Sequence, residues 1–137
     1  MAFRPIHYEE GKLVSMPCAN TQTIVKGDAL ADNGSGYLAV ATSATAVDIH
    51  YVAMQTVTTT ATGQLVLCIE TENVLFEADC TAAWTTAQVG TYVDLASVSS
   101  LDTSAVTNEL FYVIKGIGVT AVGTTVLGYF TRGIPNT

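Results

Sequence analysis

Apolar and polar residues alternate with a period of two along much of this chain, and that alternation predicts short β-strands. Residues 12–16 and 22–31 are extended, the second stretch broken at Lys26-Gly27-Asp28. Asp32-Asn33-Gly34-Ser35-Gly36 is the strongest turn, because Asn-Gly accepts the positive φ that a tight hairpin demands. It leads into a strand at Tyr37–Ala41. Between residues 49 and 56, His50, Val52 and Met54 alternate with Ile49, Tyr51 and Ala53. Gly63 turns the chain into Leu65–Glu70, where Leu65, Leu67 and Ile69 are expected on one face. Val74–Ala78, Tyr92–Ala96, Phe111–Gly116 and Val126–Thr131 complete a set of about nine short strands. Such spacing predicts one compact β-barrel or sandwich. One helical turn or a short helix, or else a loop, is expected near 80–88 (CTAAWTTAQ); a helix there is capped by Asp79 or Thr81 and anchored by Trp84. Residues 97–108 read as loop.

Composition supports an all-β class. Thr outnumbers Ser 21 to 7, and Val, Ile and Thr together make nearly a third of the 137 residues. Branched side chains suit a pleated surface and crowd a helix. All three prolines, Pro5, Pro17 and Pro135, lie near the ends, which leaves continuous ladders possible between them. Residues 1–11 lack the alternation of a core strand. They are read as an extended N-terminal arm, with 12–137 as a single β domain.

Charge narrows the functional classes. Only 12% of residues are charged, about half the usual share of roughly 25%, and the net charge is −7. The basic residues are Arg4, Lys12, Lys26, Lys115 and Arg132; none falls between 27 and 114, where ten acids lie. Nucleic-acid binding needs clustered Lys and Arg, so it is not expected. Every apolar stretch is interrupted before 18 residues, so no membrane-spanning segment is expected, and the N-terminus MAFRPIHYEEGK shows no secretory signal. Cys18, Cys68 and Cys80 have no framework or metal-ligand spacing and read as reduced, buried small hydrophobes.

The residues that carry chemistry do not form a recognisable catalytic constellation. Glu70 and Glu72 resemble an acid/base pair only if their strand continues; Glu72-Asn73 reads better as a solvated strand end. Asp28, Asp32 and Asn33 lack the alternation and closing Glu of a calcium loop, and read as turn caps. His50 lies in a strand and His7 in the terminal segment. No enzyme activity, metal or cofactor is expected. The shortage of charge on so apolar a domain is most simply met by a large contact surface.

Ile24-Val25-Lys26-Gly27-Asp28-Ala29-Leu30, then Gly36-Tyr37-Leu38-Ala39-Val40-Ala41 and Tyr51-Val52-Ala53-Met54, resemble the small head decoration (cement, capsid-stabilising) proteins of tailed bacteriophages. Val66–Glu77 and Leu127-Gly128-Tyr129-Phe130 fit the same layout. The resemblance implies a compact β domain that forms a homotrimer, binds the major capsid protein over three-fold positions on the outside of the head, and carries no catalytic residues. It implies a virion protein made in the host cytoplasm. The acidic middle of the chain suits an outer surface, since the inner one faces packaged DNA.

Within that reading the N-terminal arm supplies the candidate capsid contacts. Arg4 offers a planar donor fork to a carboxylate, His7 lies beside it in the same segment, and Phe3, Ile6 and Tyr8 offer apolar area. The alternative is a carbohydrate- or receptor-binding β module of a phage tail or fibre. Its platform would be Trp84, Tyr92 and Tyr112.

Overall fold

The computed structural model describes residues 3–117 and 125–131. Arg132 and Pro135 lie outside the described residues, as do the first two residues of the expected arm. In chain order the described strands are β1 (Phe3–Ile6), β2 (Leu13–Cys18), β3 (Thr23–Ile24), β4 (Ala29–Asp32), β5 (Leu38–Val40), β6 (Tyr51–Ala53) and β7 (Val57–Thr58). They continue with β8 (Gln64–Glu70), β9 (Leu75–Asp79), β10 (Tyr92–Ser97), β11 (Ser100–Asp102), β12 (Phe111–Ile117) and β13 (Thr125–Phe130). The chain is all-β, as its residue bias predicts.

Barrel and sheet are both present. Strands β2-β5-β4-β6-β8 close into a barrel. Strands β1-β9-β13-β12-β10-β11 form a six-stranded sheet, and β3 pairs with β7 in a short ribbon. A parallel bridge between Cys80 and Leu101 curls the sheet, bringing β11 back toward the end of β9. Among the described residues there are two core clusters, and the larger takes residues from both units, among them Ala29, Val52 and Ile69 of the barrel. Cys18, Ile24, Leu30, Leu38, Ala53, Val66 and Cys68 fill the barrel. The sheet covers a larger cluster centred on four phenylalanines, Phe3, Phe76, Phe111 and Phe130. Phe76 and Phe111 meet Phe130 edge-on at 5.1 Å, and Phe3 lies 5.0 Å from it. Edge-to-face contact suits the ring quadrupoles.

The Lys26-Gly27 break is a tight turn that ties distant segments together. Asp28 N–H donates to Val25 O at 2.9 Å, and Gly27 takes the positive φ of 97° that such a turn requires. Gly27 O accepts Phe3 N–H, Gly27 N–H donates to Ala53 O, and Asp28 O accepts Ala53 N–H. The motif that carries the family resemblance is thus the junction of β1, β4 and β6.

Four expectations are corrected. The N-terminal segment is not an arm: Phe3–Ile6 is an edge strand paired antiparallel with β9, and Phe3 is wholly buried. Pro5 is compatible with this because an edge strand needs no ladder donor on its open side. Of the alternatives at 80–88, the structure shows a loop with a single 3-10 turn at Thr86–Gln88, and its cap is neither Asp79 nor Thr81: Thr85 N–H donates to Gln88 Oε1 at 2.7 Å. Asp79 is occupied by Arg4 instead of capping it. The loop at 97–108 contains β11. Finally, Leu65 and Leu67 face outward, 63% and 38% exposed, while Val66, Cys68 and Ile69 are buried. Both registers of β8 are apolar, so alternation alone could not say which one fills the barrel.

Candidate functional site

The five residues expected to contact a capsid do not come together. Phe3 is inside the core. Arg4, on the opposite face of β1, is clamped by its own domain: Nη1 and Nη2 donate to both oxygens of Asp79 at 3.1 and 2.9 Å, and Nη2 also meets Glu77 at 3.0 Å. The Asp79 carboxyl is held below the usual range first by that hydrogen bond and then, against a smaller opposing cost of burial, by the guanidinium charge. Ile6 is half-buried on the outer face. Only His7 and Tyr8 are exposed, lining an open groove of about 540 Å³ with Glu9, Lys12, Asn73 and Val74. His7 has φ 50° and Asn73 φ 58°, so both take left-handed backbone on either side of that groove.

The acid/base candidates do converge, at the barrel rim. His50, Tyr51, Glu70, Thr71 and Glu72 line an open cleft of about 350 Å³. Glu70 lies 4.0 Å from Lys12 Nζ, and Thr71 is held by donating to Ile49 O at 2.7 Å. Among the described residues no three His, Cys, Asp or Glu side chains are grouped as a metal site would require. The Asp and Asn side chains of the turn act as caps: the Asp32 carboxylate Oδ1 accepts Gly34 N–H and the Asn33 amide Oδ1 accepts Ser35 N–H. Asp28 accepts Val25 N–H, and Asp94, buried, accepts three backbone N–H groups from Thr107, Asn108 and Glu109.

The aromatic platform divides. Trp84 is buried against the core, where a methyl group on Gly116 would overlap its ring. Tyr92 and Tyr112 lie 4.9 Å apart on the outer face of the six-stranded sheet. They belong to a longer row. Tyr92 stands opposite Tyr112, Tyr112 opposite Tyr129, and Leu75 opposite Ile6. One step beyond the Gly128–Phe76 pair, Tyr129 adjoins Leu75. Five strands thus contribute one apolar side chain each to a continuous outer stripe. Leu127, Ile114 and Ile117 widen it. Sequence reasoning missed the stripe, although a signal was present: in both Phe111-Tyr112-Val113 and Gly128-Tyr129-Phe130 a tyrosine alternates with inward-facing residues.

No family model and no curated protein matches the chain. A solved structure does match its fold: the head fiber gp8.5 N base of bacteriophage phi29. The likeness has a TM-score of 0.55 and covers 91% of this chain and 99% of that one. The fold is similar to a phage head-fiber base. Sequence identity is 14%, so the likeness to gp8.5 is one of architecture.

Proposed function

We propose that the chain is a structural protein of a tailed-bacteriophage head, binding the outside of the assembled shell as a decoration protein and stabilising it. The observation that carries this reading is the fold match with the gp8.5 N base, which takes in nearly the whole of both chains. The matched structure is named as a head fiber base, and association with a phage head is the role proposed by analogy for this chain. The resemblance of residues 24–41 to head decoration proteins points the same way.

In this reading the partner is the major capsid protein, the working unit is a homotrimer, and no catalysis, metal or cofactor is involved. The contact with the shell does not use Phe3 or Arg4, which are committed within the domain. His7 and Tyr8 remain available to it. The receptor-binding alternative loses Trp84 and keeps the Tyr92–Tyr112 pair of its platform. Mixing the purified protein with expanded, undecorated shells and imaging them tests the proposal: ordered density on the outer surface is expected, and bare shells at saturating protein would overturn it.

A further inference from the structure

We infer that Asn33, at the tip of the turn between β4 and β5, is a self-modification site: the native turn converts its side-chain amide into an aspartyl or isoaspartyl carboxylate. The inference is independent of the head-binding reading. Asn33-Gly34 is the one Asn-Gly pair in the chain. Both residues are exposed, and a side chain at Gly34 would meet nothing within 4 Å. The Gly34 nitrogen, with no Cβ beside it, is open to a ring closure that a bulkier residue hinders.

The folded turn adds two groups that assist the closure. Asp32 Oδ1 accepts the Gly34 N–H at 2.7 Å, so a carboxylate already touches the proton that must leave the attacking nitrogen. Asn33 Oδ1 accepts the Ser35 N–H at 2.8 Å and, more distantly, the Tyr37 N–H at 3.4 Å. These donors draw charge from the amide carbonyl and hold its oxygen as it becomes an oxyanion. The Gly34 nitrogen bonds to Asn33 Cγ, and its proton passes to Asp32. The Cγ–Nδ2 bond then breaks, Asp32 returns the proton to the leaving amine, and ammonia departs. One solvent water opens the resulting succinimide at either carbonyl. The product carries one more negative charge beside Asp32, and its isoaspartyl form lengthens the main chain by one carbon next to the Asp32–Leu38 pair.

The other described asparagines lack this set. At Asn20 the following N–H, of Thr21, donates to the asparagine's own Oδ1 at 2.8 Å, with no carboxylate on it. Val74, β-branched, follows Asn73. Asn108 has a carboxylate on the following N–H, from Asp94 at 2.8 Å, but that nitrogen belongs to Glu109 and carries a side chain beside it.

Peptide mass spectrometry on the full chain, held at neutral pH and body temperature, reads conversion as a gain of a single dalton at Asn33; isoaspartyl methyltransferase labels the iso form. Asn33 should convert while Asn20, Asn73 and Asn108 do not, and at least about tenfold faster in the native protein than in the same chain unfolded in guanidinium. A native rate equal to or below the unfolded one overturns the inference, as does another of these asparagines converting as fast as Asn33. Asp32→Ser keeps a side-chain cap and removes the carboxylate, so it should lose most of the native acceleration. If Asp32→Ser fails to fold, the wild-type pH profile serves in its place. With Asp32 ionised and acting as base, the native rate should be nearly flat from about pH 5 to 8, whereas the unfolded chain should follow hydroxide. A folded Asp32→Ser protein converting at the wild-type rate, or a native rate that rises in proportion to hydroxide, overturns the inference.

Discussion

The indole of Trp84 occupies the space that a side chain on Gly116 would fill. Gly116 pairs with Val126 on β13, so the absence of a Cβ on one strand makes room for a ring delivered by the turn that precedes β10. The glycine is required by close approach, since nothing in its backbone demands positive φ. Gly116→Ala must push the indole outward, at a cost of about 1–3 kcal/mol for an overfilled core. Gly128→Ala should cost more, because its nearest neighbour is the Tyr112 backbone carbonyl, which cannot rotate away. Thermal melts of the two variants should fall by several degrees each, Gly128→Ala further. Equal melting temperatures for wild type and Gly128→Ala would refute the packing.

The N-terminal strand should behave as core. Phe3 touches Phe111 and Phe130, and Phe3→Ala is expected to remove about 3–5 kcal/mol of stability. Deleting residues 2–6 should lower the melting temperature sharply even without a shell present. A truncated protein that melts like the full chain would return the segment to the status of a free arm.

Acid titration should separate two carboxylates of opposite sign. Burial raises the Asp28 carboxyl above its ordinary value, against the smaller lowering by Val25 N–H. Its native form binds the proton more tightly than the unfolded chain does, so the favourable term is full below the unfolded value and is lost as pH rises through the folded one. Asp28→Asn should therefore stabilise the protein at pH 7, and the gain should vanish in acid. Asp79 runs the other way: its lowered carboxyl contributes stability above its unfolded value and loses it as pH falls through the folded one. The pair with Arg4 is partly solvent-exposed, so Arg4→Met should cost about 0.2–1 kcal/mol at pH 7 and less in acid. Urea melts of both variants at pH 3 and 7 check the signs.

The cysteines should be inert in the native state. Burial pushes the Cys68 thiol up to about 12 and the Cys80 thiol up to about 11, and it raises Cys18 as well. The thiolate is the reactive form, so none should react with a thiol reagent at pH 8 until the chain unfolds, when all three should. Reductant and chelator should leave the melting temperature unchanged. A fast-reacting thiol in the folded protein contradicts this.

Much of the fold was legible because local patterns carried it. β9, β10, β12 and β13 lie within about two residues of their sequence expectations; β9 and β13 alternate buried and outward residues throughout, and β12 does so over Phe111–Val113. β1 was hidden by Arg4 and Pro5, which mark an edge strand as readily as a tail. β11 was hidden by Ser99, Ser100 and Asp102, which read as turn residues although Leu101 is buried between them. Barrel against sandwich could not be read because closure depends on pairings such as Cys18 with Leu38 and Leu13 with Ile69, which connect residues far apart in sequence. The site was less legible for the same reason. His50, Glu70 and Glu72 meet only once β6 and β8 are paired, and the tyrosine row exists only once five strands are in register.

The role proposed for this chain is to hold a phage head together from outside. A ligand that binds the assembled lattice and not its free subunits stabilises the lattice by mass action, about 2.7 kcal/mol per site at 100 times the dissociation constant. A trimer that bridges neighbouring subunits adds a link that must break before any one of them leaves. The direct measurement is the rupture temperature of filled heads with and without the protein, read by a dye that fluoresces on released DNA. Decorated heads should rupture at a higher temperature, and titrating the protein onto bare heads should raise it in step with occupancy. Equal rupture temperatures at full occupancy would contradict the account.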